Sequence, residues 1–176
     1  MQLLDILNFT ERLEALPRTG WLNAGVSPCE NISSHVFHVA LITMWLCDQV
    51  EGVDEACALK MALLHDIGES LIGDLTPESK RLLGDVAHEA ERNAVEKIVG
   101  TGEWLELWER YHRRECPESK VVKAADLIHL YSKALRYSEQ RGANVSEFFS
   151  QRPRTGIPSA DAVITDIFER WGKTTK

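Results

Sequence analysis

The sequence lacks long apolar runs, a signal-peptide pattern and closely spaced cysteines. No stretch approaches the roughly 20 uninterrupted apolar residues of a membrane helix, so we expect no membrane partner. The first residues have no basic start followed by an apolar centre, so we expect a cytoplasmic location. Cys29, Cys47, Cys57 and Cys116 form no CxxC motif, which argues against a zinc finger or a thioredoxin-like site.

Basic residues are also scarce. The chain has 20 Lys and Arg residues against 27 Asp and Glu residues, a formal net charge of −7. Binding along a nucleic-acid backbone needs a basic surface, so we expect no nucleic-acid polymer as a partner. A small phosphate ester is still compatible with this charge, because a bound cation and one or two arginines reverse the field inside a pocket.

Helical periodicity runs through most of the 176 residues, and no segment shows the alternation of a strand. The sequence therefore predicts an all-α fold, and its 44% hydrophobic content suits one compact domain. A loop is predicted over residues 18–33, with Ser33 or Ser34 as the cap of the next helix, and Gly142 is predicted to break a long helix. The predicted helices are 3–16, about 35–50, 55–66 after a cap at Asp54, a short one from Pro77, 85–99, 103–113, about 117–138, a turn at 146–150, and 160–171.

One apolar helix ends in an adjacent imidazole and carboxylate. The stretch from Cys57 to Glu69 is CALKMALLHDIGE, with His65 and Asp66 in its last turn and Gly68 as its predicted stop. Burying either polar side chain without a partner is costly. A divalent metal ion binds neutral imidazole nitrogen and carboxylate oxygen together. The pair therefore indicates a divalent-metal site used for hydrolysis.

Two further side chains are candidates for the same site, because two ligands cannot hold a metal. Asp126 lies in the otherwise apolar helix VVKAADLIHL, where aspartate is unfavourable. Its alternatives are a pair with Lys123 or an orientation toward water. His35 begins an apolar helix, and His38 lies on nearly the same face. The residues alone do not distinguish His35 from His38, and a lone histidine in such a helix is more often a packed core residue.

The order of several motifs is more specific than any single residue. Between Pro17 and Ser138 the chain carries RTGW, then SHVFHVA, then LLHDIGESLIGDLTP, and then ESKVVKAADLIHL. This set resembles the HD-domain metal-dependent phosphohydrolases, in particular the small branch that contains the bacterial 5′-deoxynucleotidases. The resemblance implies a single-domain HD-domain helical bundle over residues 1–176 and a homodimer. Within it we expect a metal-site core at about 17–138 and a C-terminal helical extension at about 143–172.

The resemblance also implies one divalent transition-metal ion per chain. Two imidazoles and two carboxylates suit Mn, Co, Fe, Ni or Zn, and suit a thiophilic ion poorly. Ser34 stands where many relatives carry a glutamate, and Glu30 matches another acidic position of the pattern. The implied ligands are His35, His65, Asp66 and Asp126.

Four other residues match positions that act on the substrate in this family. Glu69 matches the acid that handles the water or the leaving-group proton. Arg18 matches the loop arginine that holds phosphate, a task that suits its planar fork. Asp74 matches an acid that contacts the sugar or shares in proton transfer, and Trp21 a tryptophan that packs on the sugar. The alternatives are a solvated Glu69, a turn-forming Asp74, a surface Arg18 and a core Trp21.

The implied activity is that of a phosphoric monoester hydrolase. It releases phosphate from a small-molecule nucleotide, a 2′-deoxynucleoside 5′-monophosphate. One rival is an HD enzyme that acts on nucleoside triphosphates, for which more cationic residues are expected at the pocket mouth. A rival of another class is a nucleotide-sensing binding module, whose structural metal is closed by protein ligands.

Overall fold

The computed structural model describes residues 2–141 and 143–174, and it has no β-strand within them beyond one isolated bridge between Pro17 and Asn31. The all-α prediction is confirmed. No helix in these residues combines the length and apolarity needed to cross a bilayer. Gly142, the predicted helix breaker, lies outside the described residues. In chain order the helices are α1 (Leu3–Thr10), α2 (Arg12–Ala15), α3 (Thr19–Asn23), α4 (Ile32–Cys47), α5 (Glu55–Leu64), α6 (Glu69–Ile72), α7 (Pro77–Leu83), α8 (Asp85–Val99), α9 (Glu103–Arg113), α10 (Pro117–Arg141), a 3₁₀ helix (Ser146–Phe149) and α11 (Pro158–Thr174).

The long helix α10 is the centre of the packing. It contacts α4, α5, α9 and α11, so one helix touches every other large element around the core except α8. Val121, Val122, Ala124 and Ala125 are almost completely buried along it. This part of α10, a little more than one turn, is therefore shielded on most sides. A polar side chain in this part of the helix must find its partners inside the protein.

Helix α4 is apolar nearly all round in sequence, but it is not buried on all sides. One face of α4 is buried and includes His35 and Val39, but the opposite face leaves Phe37 63% and Leu41 54% exposed. The apolar residues correctly predicted a helix here, but they did not show which of its faces is buried, because large apolar side chains also occur at surfaces. The helix nevertheless carries its buried face directly against α5 and α10.

The ends of several helices differ from the predictions. Asn31, not Ser33 or Ser34, caps α4, because its side chain accepts a hydrogen bond from the Ser34 amide. The region predicted as a 16-residue loop contains the short helix α3, and the predicted helix over residues 3–16 is divided into α1 and α2. The predicted cap of α5 is confirmed, since the Asp54 side chain accepts from the Cys57 amide.

Gly68 does not end α5 in the way the sequence suggested. The helix ends at Leu64, and Gly68 has an ordinary right-handed φ of −61° at the start of α6. A Cβ atom at Gly68 would lie 3.1 Å from Val95 Cγ2 and 3.2 Å from the Glu91 carbonyl oxygen. The glycine therefore allows the turn after His65 and Asp66 to pack closely on α8.

We expect Gly68→Ala to lower the free energy of unfolding by about 1–3 kcal/mol, because the added methyl group is forced against backbone. Gly172→Ala is the matched control, because nothing lies within 4 Å of a Cβ there and α11 continues through that position. The control should leave stability unchanged or raise it by up to about 1 kcal/mol. Urea denaturation measures both variants, and equal effects would contradict the packing role of Gly68.

Candidate metal centre

Three separate parts of the chain bring two imidazoles and two carboxylates to one point. His35 comes from α4, His65 and Asp66 follow α5, and Asp126 comes from α10. The Nε2 atom of His65 lies 3.3 Å from Nε2 of His35 and 3.1 Å from Asp66 Oδ2. The Nε2 atom of His35 lies 3.4 Å from Asp126 Oδ1 and 3.5 Å from Asp66 Oδ2.

These separations match the geometry of a shared metal ion. Two atoms that bind one ion at about 2.1 Å lie about 3.0 Å apart at right angles and about 3.4 Å apart at tetrahedral angles. The tautomer of His65 also fits. Its Nδ1 donates to the Ala62 carbonyl oxygen at 2.6 Å, so the lone pair of the neutral ring is on Nε2, which faces the other ligands. The four residues therefore fit a divalent ion with mixed nitrogen and oxygen ligands.

Asp126 satisfies both of the interpretations that the sequence left open. Its Oδ2 pairs with the Lys123 ammonium at 2.8 Å, while Oδ1 faces His35. Lys123 also lines the cavity in front of the four candidate ligands. The spacing of Lys123 and Asp126 on α10 indicated that they could pair, but nothing in the sequence showed that the lysine borders a cavity.

A cavity of about 540 Å³ opens directly over the candidate ligands. This volume lies within the range of small-molecule sites. Asp66 and Asp126 lie in its wall, as do Arg18, Glu69 and Asp74, so the structure brings the matched substrate residues to the candidate metal ligands. The remaining wall is partly apolar and includes Leu75, Pro77, Leu130 and Phe148.

Glu69 is a buried acid with few partners. The whole residue is 4% exposed, and its Oε2 atom has no hydrogen-bond partner among the described residues. Burial, together with the negative charges of Asp66 and Asp74, raises the pKa of Glu69 to about 10. Both effects favour the protonated form of the Glu69 carboxyl group, which lies on the cavity wall.

Arg18 and Asp74 join the loop before α3 to the turn after α6. Arg18 Nη1 lies 3.2 Å from Asp66 Oδ2 and 3.9 Å from Asp74 Oδ1. The other oxygen of Asp74 accepts the Thr19 amide proton, and the Thr19 hydroxyl donates to the Asp74 carbonyl at 2.9 Å. Gly73 permits the turn with φ of 80°. Asp74 thus has a structural role in this turn, as its turn-forming alternative implied, and it also lies on the cavity wall.

Trp21 is packed into the core. It is 1% exposed, and its ring lies against Tyr137 and Phe148. Its Nε1 donates to Oε1 of the buried Glu30 at 2.8 Å. Part of the side chain also borders the cavity. The core alternative thus describes most of the ring, and contact with a substrate stays a prediction.

A second group of potential ligands lies on α8 and α9. His88, Glu91 and His112 have ligand atoms within 4.8 Å of one another. The Glu91 carboxylate, however, already binds the Lys80 ammonium at 2.6 Å. Burial lowers the pKa of His112 to about 3, so this histidine adds no charge of its own. Glu91, the only carboxylate of this group, is therefore already paired with the Lys80 ammonium.

Comparisons with known proteins agree with this geometry. Residues 10–160 match the family described as HD domain. The chain is 33% identical over 150 residues to the 5′-deoxynucleotidase HDDC2 of Dictyostelium discoideum, a match that covers 78% of each protein. It is 32% identical over 147 residues to the 5′-deoxynucleotidase YGK1 of Saccharomyces cerevisiae, covering 78% of this chain and 67% of the relative.

Solved structures with the same fold include two archaeal proteins. The PH0347 protein from Pyrococcus horikoshii is 29% identical, with a TM-score of 0.84 over 96% of this chain and 99% of that chain. A conserved hypothetical protein from Pyrococcus furiosus is 31% identical, with a TM-score of 0.81 over 93% of this chain and 98% of that chain. The family match spans most of the sequence and includes all four side chains at the candidate metal centre. The chain belongs to the HD-domain family.

Proposed function

We propose that this protein is a metal-dependent 5′-nucleotidase that hydrolyses 2′-deoxynucleoside 5′-monophosphates to deoxynucleosides and inorganic phosphate. The observation that carries the proposal is the convergence of His35, His65, Asp66 and Asp126 in a cavity that also holds Arg18 and Glu69. The relatives named 5′-deoxynucleotidase support the substrate class. The four convergent side chains would hold one Mn, Co, Fe, Ni or Zn ion.

A divalent ion at this position polarises the phosphoryl group and activates a water molecule. His35, His65, Asp66 and Asp126 would hold the ion. Arg18 would bind the outer phosphoryl oxygens, because its guanidinium lies on the cavity wall within 3.2 Å of Asp66. Its planar fork suits a bidentate contact with phosphate.

Glu69 is proposed to protonate the leaving group. Hydrolysis forms a bond from the water oxygen to phosphorus and breaks the bond from phosphorus to the 5′-oxygen. The 5′-oxygen then needs a proton, and the attacking water gives one up. Glu69 lies on the cavity wall, where its burial favours the protonated form, so it can donate to the 5′-oxygen and be restored by the proton from the water. Asp74 and Trp21 are proposed to border the sugar, with Asp74 fixed by the amide of Thr19.

The charge of the cavity favours a monophosphate over a triphosphate. The wall includes four basic residues and four acidic residues, so their formal charges are close to balanced. A divalent ion adds two positive charges, which match the charge of about −2 on a phosphate monoester at neutral pH. A triphosphate would bring more negative charge than this cavity offsets.

A nucleotide panel tests the proposal. Protein that has been stripped of metal and reloaded with Mn²⁺ or Co²⁺ should release orthophosphate from deoxynucleoside 5′-monophosphates, and chelation should abolish the activity. Ribonucleotides and deoxynucleoside triphosphates should be hydrolysed much more slowly. Chromatography of the products identifies the reaction. Release of pyrophosphate or triphosphate would instead indicate the triphosphate hydrolase, and binding without any turnover would indicate a sensing module.

We expect Glu69→Gln to lower kcat by about 10²- to 10⁴-fold, because the amide fills the same space but cannot donate a proton to the leaving oxygen. Metal content and thermal unfolding should remain near those of the wild type, since Glu69 is not among the proposed ligands. Metal analysis and steady-state kinetics on the same samples separate these effects. Unchanged turnover would remove Glu69 from the mechanism.

We also propose a homodimer that is formed through the outer face of α4. Phe37, Leu41, Met44 and Trp45 are 63%, 54%, 45% and 45% exposed, and their spacing places them on one side of the helix. A contiguous apolar surface of this kind is typical of a protein interface. We call these four side chains the α4 stripe.

Leu41→Lys should convert the dimer to a monomer, because it places a charge in the middle of the α4 stripe. Leu82→Lys is the control: Leu82 is 79% exposed on α7, outside the stripe. Sedimentation velocity at several concentrations measures the mass of both variants. Dissociation by the control alone, or a wild-type protein that is monomeric, would rule out this interface.

Two further features complete the proposal. We propose a cytoplasmic location, where the four free thiols of the chain would remain reduced. We also propose that residues 1–176 form one HD domain with a metal-site core at about 17–138. Helix α11, which packs on α10, would belong to the C-terminal extension at about 143–172.

A further inference from the structure

The side of the His35 ring that faces away from the candidate metal centre is in contact with a second histidine. His35 Nε2 faces Asp66 and Asp126, whereas His35 Nδ1 lies 2.9 Å from His129 Nδ1. Both rings are almost completely buried. Two ring nitrogens at this distance form a hydrogen bond only if one carries a proton and the other a lone pair.

The position of the ion decides which nitrogen donates. A neutral imidazole that binds a metal through Nε2 carries its proton on Nδ1. His35 must therefore donate, and His129 must accept at Nδ1. The proton of neutral His129 is then on Nε2, which lies 3.4 Å from Glu30 Oε2. A chain of contacts thus runs from the candidate ion through His35 and His129 to a carboxylate.

Glu30 is itself held from several directions. Its Oε1 accepts from the Trp21 indole at 2.8 Å, and its backbone amide donates to the Tyr137 hydroxyl oxygen at 2.7 Å. The Lys133 ammonium lies 3.5 Å from Oε2. Within the described chain, Oε2 has no well-formed hydrogen bond. This oxygen is therefore a fixed acceptor with capacity left for the proton of His129.

We propose that His129 and Glu30 are positioning residues that hold the His35 ring in the tautomer and orientation that present Nε2 to the metal ion. The inference rests on the proposed ligand set and goes beyond it, because neither residue touches the ion or the substrate. Ligand histidines commonly depend on such outer contacts, and their loss typically weakens metal affinity by about 10- to 100-fold. The unusual element here is that a second imidazole stands between the ligand and the carboxylate.

Two other roles of His129 make different predictions. His129 stacks on His38, with ring centroids 4.9 Å apart and planes 10° apart, so it also contributes to packing. In addition, Glu30, His35 and His129 have ligand atoms close enough to form a metal site of their own. A packing role depends on the shape of the ring, a second metal site changes the metal stoichiometry, and a positioning role depends on the acceptor at Nδ1.

A pair of substitutions at His129 isolates that acceptor. His129→Leu removes it, whereas His129→Asn can place an amide oxygen close to the Nδ1 position. We expect His129→Leu to bind Co²⁺ about 10- to 100-fold more weakly than wild type and His129→Asn to recover most of the loss. Competition with a chelator measures the affinity of the metal-free protein, and the visible absorption of bound Co²⁺ reports its coordination.

A double-substitution cycle tests the next link. Glu30→Gln retains an acceptor but loses its charge, so it should weaken Co²⁺ binding by less than His129→Leu does. The double variant should bind no more weakly than His129→Leu alone, because Glu30 acts only through His129. His88→Asn is the matched control: this histidine lies on α8, outside the chain of contacts, and its replacement should leave Co²⁺ affinity unchanged.

Several outcomes would overturn the inference. Equal losses in the leucine and asparagine variants would indicate packing alone, and wild-type affinity in both would show that His35 needs no partner. Two ions per wild-type chain, with one lost in His129→Leu, would show that His129 is itself a ligand. Failure of the proposed ligand set looks different, because the wild type would then bind no Co²⁺ or His35→Ala would bind it normally. If His129→Leu does not fold, as judged by circular dichroism, His129→Gln replaces it, since its amide reaches the Nε2 position and not Nδ1.

Discussion

Two carboxylates and two imidazoles share a space in which neighbouring polar atoms lie 3.1–3.5 Å apart, and that crowding governs the rest of the structure. Carboxylates that are buried close together repel one another unless a cation lies among them. Arg18 on Asp66 and Lys123 on Asp126 partly meet this need. A divalent ion held by the four side chains would meet it more fully and would leave those basic groups available to face a phosphate. The same electrostatic arrangement therefore stabilises the fold and prepares the site for an anion.

The helices around this point have distinct tasks. Helix α10 supplies Asp126 and His129 from a segment that is buried against four other helices, so these side chains have little freedom. The turn after α5 places two of the proposed ligands, His65 and Asp66, next to each other, and Gly68 lets this turn pack closely on α8. Helix α4 contributes His35 from its buried face while its other face stays apolar and exposed. The proposed metal ligands thus lie on or directly after the long helices. The groups that would contact substrate lie on short segments between helices.

Local patterns in the sequence were sufficient for the class of fold and for several element ends. The apolar periods of α8 and α9 predicted both helices to the residue, and Asp54 was recognisable as a cap. The convergence of His35 with Asp126 depends on packing between distant helices, and only the likeness to a family suggested it. The roles of Thr19 and Glu30 were not predictable, because the contacts of Thr19 with Asp74 and of Glu30 with Tyr137 join residues 55 and 107 positions apart. The exposed face of α4 was missed because composition does not reveal which side of an apolar helix has a neighbour.

The tie between Thr19 and Asp74 has a consequence for how an anion is captured. These hydrogen bonds join the segment that carries Arg18 to the turn that carries Asp74. The Arg18 guanidinium, which also lies near the Asp74 carboxylate, is therefore held in place at the cavity. A nucleotide entering this mouth meets a receptor that is already shaped. Little conformational entropy is then lost when the phosphate docks. In a pre-organised cavity of this kind, selectivity among substrates would depend on how well each one fits the existing shape, and not on a loop that closes over it.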